Sequence, residues 1–279
     1  MRTIDAGVIR DAVARLCVAA NRRLPPDVAE ALHRARAEED WPAARETLDQ
    51  IIANFQAAER EGLPVCQDTG MASVFLEIGT DVHIEGDLSE AVNEGVRRGY
   101  RDGYLRKSVV TDPLARVNSG DNTPAILYVD LTGGSGIKIT VAPKGFGSEN
   151  MSGIKMLTPA QGEQGIIDFV TETVRAAGAN PCPPVVVGVG IGGNFDRAAL
   201  LAKKALLRPL TVRNGQDYYA RMEETLRAHI NGLGTGPQGF GGKTTCLAVA
   251  IETFPTHIAG LPCAVNISCH ASRHAEELL

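Results

Sequence analysis

Three cysteines stand where chain elements meet. Cys66 lies in P-V-C-Q-D-T-G, Cys182 in N-P-C-P-P and Cys269 in N-I-S-C-H-A-S-R-H. Proline, glycine and polar residues flank each one, a setting that leaves a thiolate open to a metal or a reagent. The other three read as packing. Cys17 falls on an apolar helical face, and Cys246 and Cys263 precede apolar strand residues, where cysteine behaves as a small hydrophobe. Three loop thiols from distant parts of the chain suggest a metal centre. Zinc sites favour close pairs such as C-x-x-C, and the chain has none. Three ligands rather than four leave one coordination position open, as a catalytic centre needs. Spacing alone leaves both readings standing, a metal centre and three unconnected thiols.

Two nucleotide-like motifs compete with this picture. Gly188, Gly190 and Gly193 satisfy G-x-G-x-x-G between a strand-like run and a helix-like run. A dinucleotide site also wants an acidic residue about 20 positions on, to hold the ribose. The next apolar run, L-L-R-P-L-T-V-R-N, carries arginines instead. These glycines are therefore read as letting backbone approach backbone or ligand closely, in a close-packed turn, with the region 194–196 capping the following helix. An NAD(P)-dependent oxidoreductase remains the alternative from another class. G-F-G-G-K-T-T resembles a phosphate-binding loop but fails on spacing. Five positions before Gly242 stands Pro237, where glycine is required, and a helix rather than a strand precedes it. Lys243 is kept as a candidate anion contact.

The elements that position these residues read as mixed α/β: a helical N-terminal part, 1–62, followed by mixed sheets flanked by helices over 63–279, in one domain. Ile9, Val13, Leu16, Cys17 and Ala20 share a helical face, and Pro26 and Pro42 each open a further helix. Strands are expected around 74–78, 82–84, 125–131 and 137–142, through the run before Gly188, and within T-C-L-A-V-A-I-E and A-V-N-I-S-C. A net charge of -5 argues against nucleic acid or an anionic membrane as the main partner. Neither a signal-peptide core nor a run of about 20 apolar residues is seen, so the protein is expected in the cytoplasm, off the membrane.

Seven motifs in order make the chain recognisable: V-C-Q-D-T-G, Y-L-R-K-S-V-V, N-T-P-A, P-K-G-F-G-S-E-N, N-P-C-P-P with G-I-G-G, G-P-Q-G-F-G-G-K-T and N-I-S-C-H-A-S-R-H-A. Together they resemble the alpha subunit, or N-terminal domain, of the class I iron–sulfur fumarate hydratases and the related L-tartrate dehydratases. The resemblance implies a [4Fe–4S] cluster held by Cys66, Cys182 and Cys269, with one iron not ligated by protein. It implies substrate contacts from Gln67, Asp68, Arg106, Lys144, Gly145 and Gly147, with Lys243 as a weaker one, and proton-handling roles for Asp68 and His257. Arg273 is a further, weaker carboxylate reader. The glycine turn is then expected at the edge of the cluster site.

The residue types suit that chemistry. Hydrating fumarate to malate adds water across an activated double bond with no net redox change. The bidentate fork of an arginine fits a carboxylate that gains charge. The resemblance also implies a separate beta subunit that completes the active site, a small dicarboxylate substrate, and a higher oligomer of alpha–beta pairs. Tartrate dehydration is the near alternative, and a non-catalytic binding subunit the distant one.

Overall fold

The computed structural model describes residues 2–279 and is mixed α/β. In chain order the elements are β1 (Arg2–Asp5), α1 (Ala6–Arg22), α2 (Pro26–Glu38), α3 (Pro42–Glu61), β2 (Met71–Gly79), β3 (Val82–Glu85), α4 (Leu88–Asp102), β4 (Ile126–Thr132), β5 (Ile137–Lys144), α5 (Phe146–Glu149), β6 (Gly153–Leu157), α6 (Gly162–Ala177), β7 (Val185–Gly192), α7 (Phe195–Ala205), α8 (Asp217–Asn231), β8 (Cys246–Phe254), β9 (Leu261–Ser268) and β10 (Ala275–Leu278). No described helix is long and apolar enough to cross a membrane. Two compact units are present. One comprises Met1–Pro25, Phe55–Gly145 and Arg273–Leu279, the other Pro26–Asn54 and Phe146–Ser272.

In the first unit the sheet runs β10-β5-β2-β4. β5 is antiparallel to β2 and β10, while β4 is parallel to β2. Alternation along β2 and β5 puts Val74, Leu76, Ile78, Ile137, Ile139 and Val141 on one face. That face buries against Ile9, Val13 and Leu16 of α1 and Val92, Val96 and Tyr100 of α4. Each such side chain contributes roughly 2 kcal/mol. Asp5 caps α1, its carboxylate accepting from the Gly7 nitrogen at 2.8 Å. The residues before Asp5 are not helical as expected. They form β1, which lies parallel to β3.

In the second unit the sheet runs β6-β9-β7-β8, with β7 parallel to β8 and antiparallel to β9. Every residue of β7 is buried, as expected of a central strand covered on both faces. Val185, Val187, Val189 and Ile191 pack on Ile166, Val170 and Val174 of α6 and on Met222, Leu226 and Ile230 of α8. The opposite face meets α7. There Gly188 and Gly190 lie inside the strand, not in a turn. A Cβ on either would come within 2.1 Å of a carbonyl oxygen, that of Ala202 or Ala198 respectively. Only Gly192 and Gly193 belong to the turn, where both take positive φ. The close approach of backbone to backbone expected of these glycines is borne out, but Gly188 and Gly190 provide it from inside the strand, against α7. The turn itself lies at the end of β7 away from Cys182, so it does not border the Cys182 loop as expected.

Candidate functional site

Four of the seven motifs converge within the first unit. The loop entering β2 carries Cys66, Gln67 and Asp68. Cys66 is half-buried, with its sulfur 3.3 Å from Gln67 Oε1. Asp68 Oδ1 accepts from the Gly70 nitrogen at 2.9 Å, a local turn that fixes the carboxylate. Its main-chain oxygen accepts from Arg273 Nη2 at 2.5 Å. Thr69 donates its hydroxyl to the Arg106 carbonyl at 2.9 Å, which ties the Arg106 segment to the cysteine loop. Tyr100, fully buried, donates its hydroxyl to the Thr69 and Gly70 carbonyls at 2.7 and 3.0 Å. Burial pushes the Tyr100 phenol up, so it stays a donor.

Asn122, from N-T-P-A, closes the circle. Its side chain donates to the Gly70 carbonyl at 3.2 Å and accepts from the nitrogens of Ser108 and Val109 at 2.7 and 3.3 Å. The end of β5 comes against the same loop. A Cβ on Gly145 would stand 3.1 Å from Asp68 Oδ2, and one on Gly70 would meet the Lys144 backbone at 2.7 Å. Cys66, Gln67, Asp68, Arg106, Lys144 and Gly145 are thus brought to one end of this sheet. Arg273, only a weaker candidate in the sequence, is buried under the loop, and its Nε has no hydrogen-bond partner among the described residues.

The remaining motifs converge within the second unit. Cys182 is exposed and takes φ +55, a left-handed conformation rare for residues with a side chain. Its carbonyl accepts from the His270 main-chain nitrogen at 3.2 Å, and His270 Nδ1 lies 3.0 Å from the same oxygen. Gln238 donates both its main-chain nitrogen and its Nε2 to the Pro183 carbonyl, each at 2.8 Å. Its Nε2 also lies 3.2 Å from His270 Nδ1. Cys269 directly follows β9, whose last residue Ser268 registers with Val186, near the start of β7. The Cys182 and Cys269 loops therefore share one end of this sheet. Gly147 is beside them, 3.7 Å separating its Cβ position from the Asn180 carbonyl.

Sequence reasoning missed what anchors α5. Lys203 Nζ lies 2.6 Å from Glu149 Oε1, while Asn266 donates to Glu149 Oε2 at 2.7 Å and to Ser152 Oγ at 2.8 Å. The network joins α5, α7 and β9. The signal was present in S-E-N, where a charged residue sits inside a glycine-rich motif.

Two expected contacts stand apart from these loops. His257 is exposed in the turn after β8, at the other end of the sheet from Cys182 and Cys269. The eight residues of β7 span the interval, roughly 25 Å. Lys243 is exposed and already engaged. Its Nζ lies 2.7 Å from Asp40 Oδ2 and donates to the Glu38 carbonyl at 3.2 Å. The hydrogen-bonded pair shifts both groups: Asp40 raises the lysine's pKa, and Lys243 holds the Asp40 carboxyl below the ordinary range.

The cysteines sort into two groups. Burial pushes the thiols of Cys17, Cys246 and Cys263 up to about 12, which disfavours the thiolate a metal requires. Cys66, Cys182 and Cys269 are half-buried or exposed on loops. Their accessibility and soft sulfur donors fit an iron–sulfur cluster. Among the described residues no three His, Cys, Asp or Glu side chains group closely enough to hold a single metal ion.

Comparison with known proteins agrees with this geometry. The profile of the family described as fumarate hydratase (Fumerase) matches residues 10–277. A Methanocaldococcus jannaschii protein bearing the name L(+)-tartrate dehydratase subunit alpha is 43% identical over 274 residues, which cover 96% of each chain. The L(+)-tartrate dehydratase alpha subunit of Escherichia coli O157:H7 is 30% identical over 275 residues, covering 97% of this chain and 90% of its own. That of E. coli strain UTI89 is 31% identical over 269 residues, covering 95% and 88%. The chain belongs to the fumarate hydratase (Fumerase) family.

Proposed function

We propose that the chain is the alpha subunit of an iron–sulfur hydro-lyase that reversibly hydrates fumarate to L-malate, acting with a separate beta subunit. The observation that carries this reading is the gathering of the family motifs into two loop clusters, with the accessible thiols of Cys66, Cys182 and Cys269 on those loops and the other three cysteines buried. Cys66, Cys182 and Cys269 would hold a [4Fe–4S] cluster. When bound, the cluster supplies a Lewis acid for the hydroxyl that is added or lost.

The chain's own residues bind and orient. Arg106 offers a bidentate fork to one substrate carboxylate. Gln67 and the backbone at Lys144, Gly145 and Gly147 line the approach, with Lys243 as a further anion contact. Asp68, whose carboxylate is oriented by the Gly70 nitrogen, is the proton-handling group of this chain.

A second reading, dehydration of L(+)-tartrate, is favoured by the names of the three relatives. The test is anaerobic co-expression of this chain with its beta subunit, cluster reconstitution, and assay of fumarate hydration and tartrate dehydration side by side. Turnover of fumarate well above that of tartrate supports the first reading and the reverse ratio the second. A complex with no iron and no turnover of either sinks both.

A further inference from the structure

Three consecutive carbonyls in the Cys66 loop are each met by a buried side-chain donor. Those of Thr69 and Gly70 accept from the Tyr100 hydroxyl at 2.7 and 3.0 Å, and that of Gly70 also from Asn122 Nδ2 at 3.2 Å. That of Asp68 accepts from Arg273 Nη2 at 2.5 Å. All of these residues lie in the first unit. Tyr100 and Asn122 are fully buried, and Arg273 is only 7% exposed.

Tyr100 and Asn122 are neutral donors, and Arg273 is a charge. A carbonyl needs only a neutral donor, and such a bond adds about 1 kcal/mol. Withdrawing a guanidinium from water costs several kcal/mol unless an opposite charge compensates. Arg273 forms no ion pair among the described residues, and its Nε has no hydrogen-bond partner there either. Fold stability alone is therefore a poor account of an arginine at this position. What a charged donor adds is a tighter grip, since a charge-assisted bond is roughly twice as strong as a neutral one. The base of the side chain is also fixed. Arg273 is the first residue of the chain's return to the first unit, two before Ala275, which registers with Val141 of β5. Its fork grips the Asp68 main chain from one side, while the Asp68 carboxylate accepts from the Gly70 nitrogen at 2.9 Å. Main chain and side chain of Asp68 are thus held by different partners.

We infer that Arg273 is a positioning residue of the candidate site. It is not the carboxylate reader expected from the sequence. It sets the Asp68 backbone, and through it the directions of the Asp68 and Gln67 side chains beside Cys66. Arg273 takes this role within the hydro-lyase reading proposed above, which supplies the reaction those side chains serve. A reacting group misplaced by about 1 Å can lose a hundredfold in rate with little change in binding.

The test has two arms. In the full chain alone, amide hydrogen exchange is followed at Gly70, whose nitrogen bonds the Asp68 carboxylate, and along β7 as a control for the fold. Arg273→Gln is expected to speed exchange at Gly70 by about tenfold and to leave β7 unchanged. In the anaerobically reconstituted complex with the beta subunit, the same variant is expected to keep its KM and to lose about thirtyfold in kcat per bound cluster. Arg273→Lys keeps the charge and a donor but not the fork, and should fall between the two in both arms. Unchanged exchange at Gly70 in a folded Arg273→Gln chain overturns the role. So does a raised KM with kcat intact, which would make Arg273 a carboxylate reader after all. If Arg273→Gln does not fold, Arg273→Lys carries both measurements, and native values in both overturn the role. The exchange arm needs neither cluster nor partner. A native complex without iron or turnover therefore sinks the hydro-lyase reading, while Gly70 still decides whether Arg273 sets the loop.

Discussion

The main-chain nitrogen of His270 donates to the main-chain oxygen of Cys182 at 3.2 Å. One bond thus fastens the residue after Cys269 to Cys182 itself and fixes the spacing of the two cysteine loops within the chain. For the cluster proposed above, thiols set in advance would lose less freedom on binding. Cys182→Ser and Cys269→Ser are each expected to leave the anaerobically reconstituted complex with less than half its iron and little visible absorbance. Cys17→Ala, which alters a buried thiol, should keep its iron at a cost of about 1 kcal/mol in stability. Iron assay and melting temperature separate the two results. A Cys182→Ser complex with full iron would remove Cys182 from the ligand set.

Arg106 is exposed, and among the described residues only its carbonyl is bound, by Thr69. Its guanidinium can therefore be changed without touching the fold. Arg106→Ala should lower kcat/KM of the complex by about a hundredfold with an unchanged melting temperature. Arg106→Lys keeps the charge but not the fork, and should recover only part of the loss. Full activity in Arg106→Ala would show that another cation reads the carboxylate.

Glu149 answers both Lys203 and Asn266 with its two oxygens. Glu149→Gln leaves the Lys203 ammonium, 18% exposed, without its counter-charge. The expected loss is about 1–2 kcal/mol, moderated because the pair is not fully shielded from water. Thermal unfolding of the variant should begin a few degrees lower, and Lys203→Met/Glu149→Gln should restore part of it. An unchanged melting curve for the single variant would mean that the pair adds nothing.

Alkaline stability follows from the buried thiols. Burial raises the folded-state pKa of Cys17, Cys246 and Cys263 to about 12. In the unfolded chain they ionise near the ordinary thiol value, so the folded state binds more protons between the two. The stability these groups contribute is fully present below the unfolded value and is lost as pH climbs towards 12. Each thiol adds a slope of up to about 1.4 kcal/mol per pH unit in that window. Denaturant midpoints measured from pH 8 to 10.5 should fall, and Cys17→Ala should flatten the fall by about one thiol's share. An equally steep fall in Cys17→Ala would assign it to other groups.

The long periodic helices, the strand before Gly188 and the capping of α7 by Asn194 were legible in the sequence because local pattern and tertiary role coincide there. β1, β6 and β10 were not. A-E-E-L has no strand character of its own and is a strand only because Ala275 to Leu278 register with β5. Gly188 and Gly190 misled for a related reason. A glycine that admits a helix backbone to a strand has the same spacing as one that turns around a phosphate. The distance from His257 to the Cys182 loop was also hidden. Chain order shows that both adjoin strands, but not that they adjoin opposite ends. The cysteine sorting was legible, since loop against apolar context already carries the burial difference that sets thiolate chemistry.

The interleaving of the two units has a consequence for how the molecule is made. β5, around residue 138, finds its partner only at residue 278. The ribosome therefore completes the whole second unit while β5 still lacks one neighbour. Throughout that interval the nascent first unit displays Ile137 and Ile139 beside an empty sheet position. β10 then inserts, and its Glu276 and Glu277 guard that edge. Until residues 275–278 have been made the first unit is a sticky intermediate, so the codons for β10 act as a checkpoint on its folding.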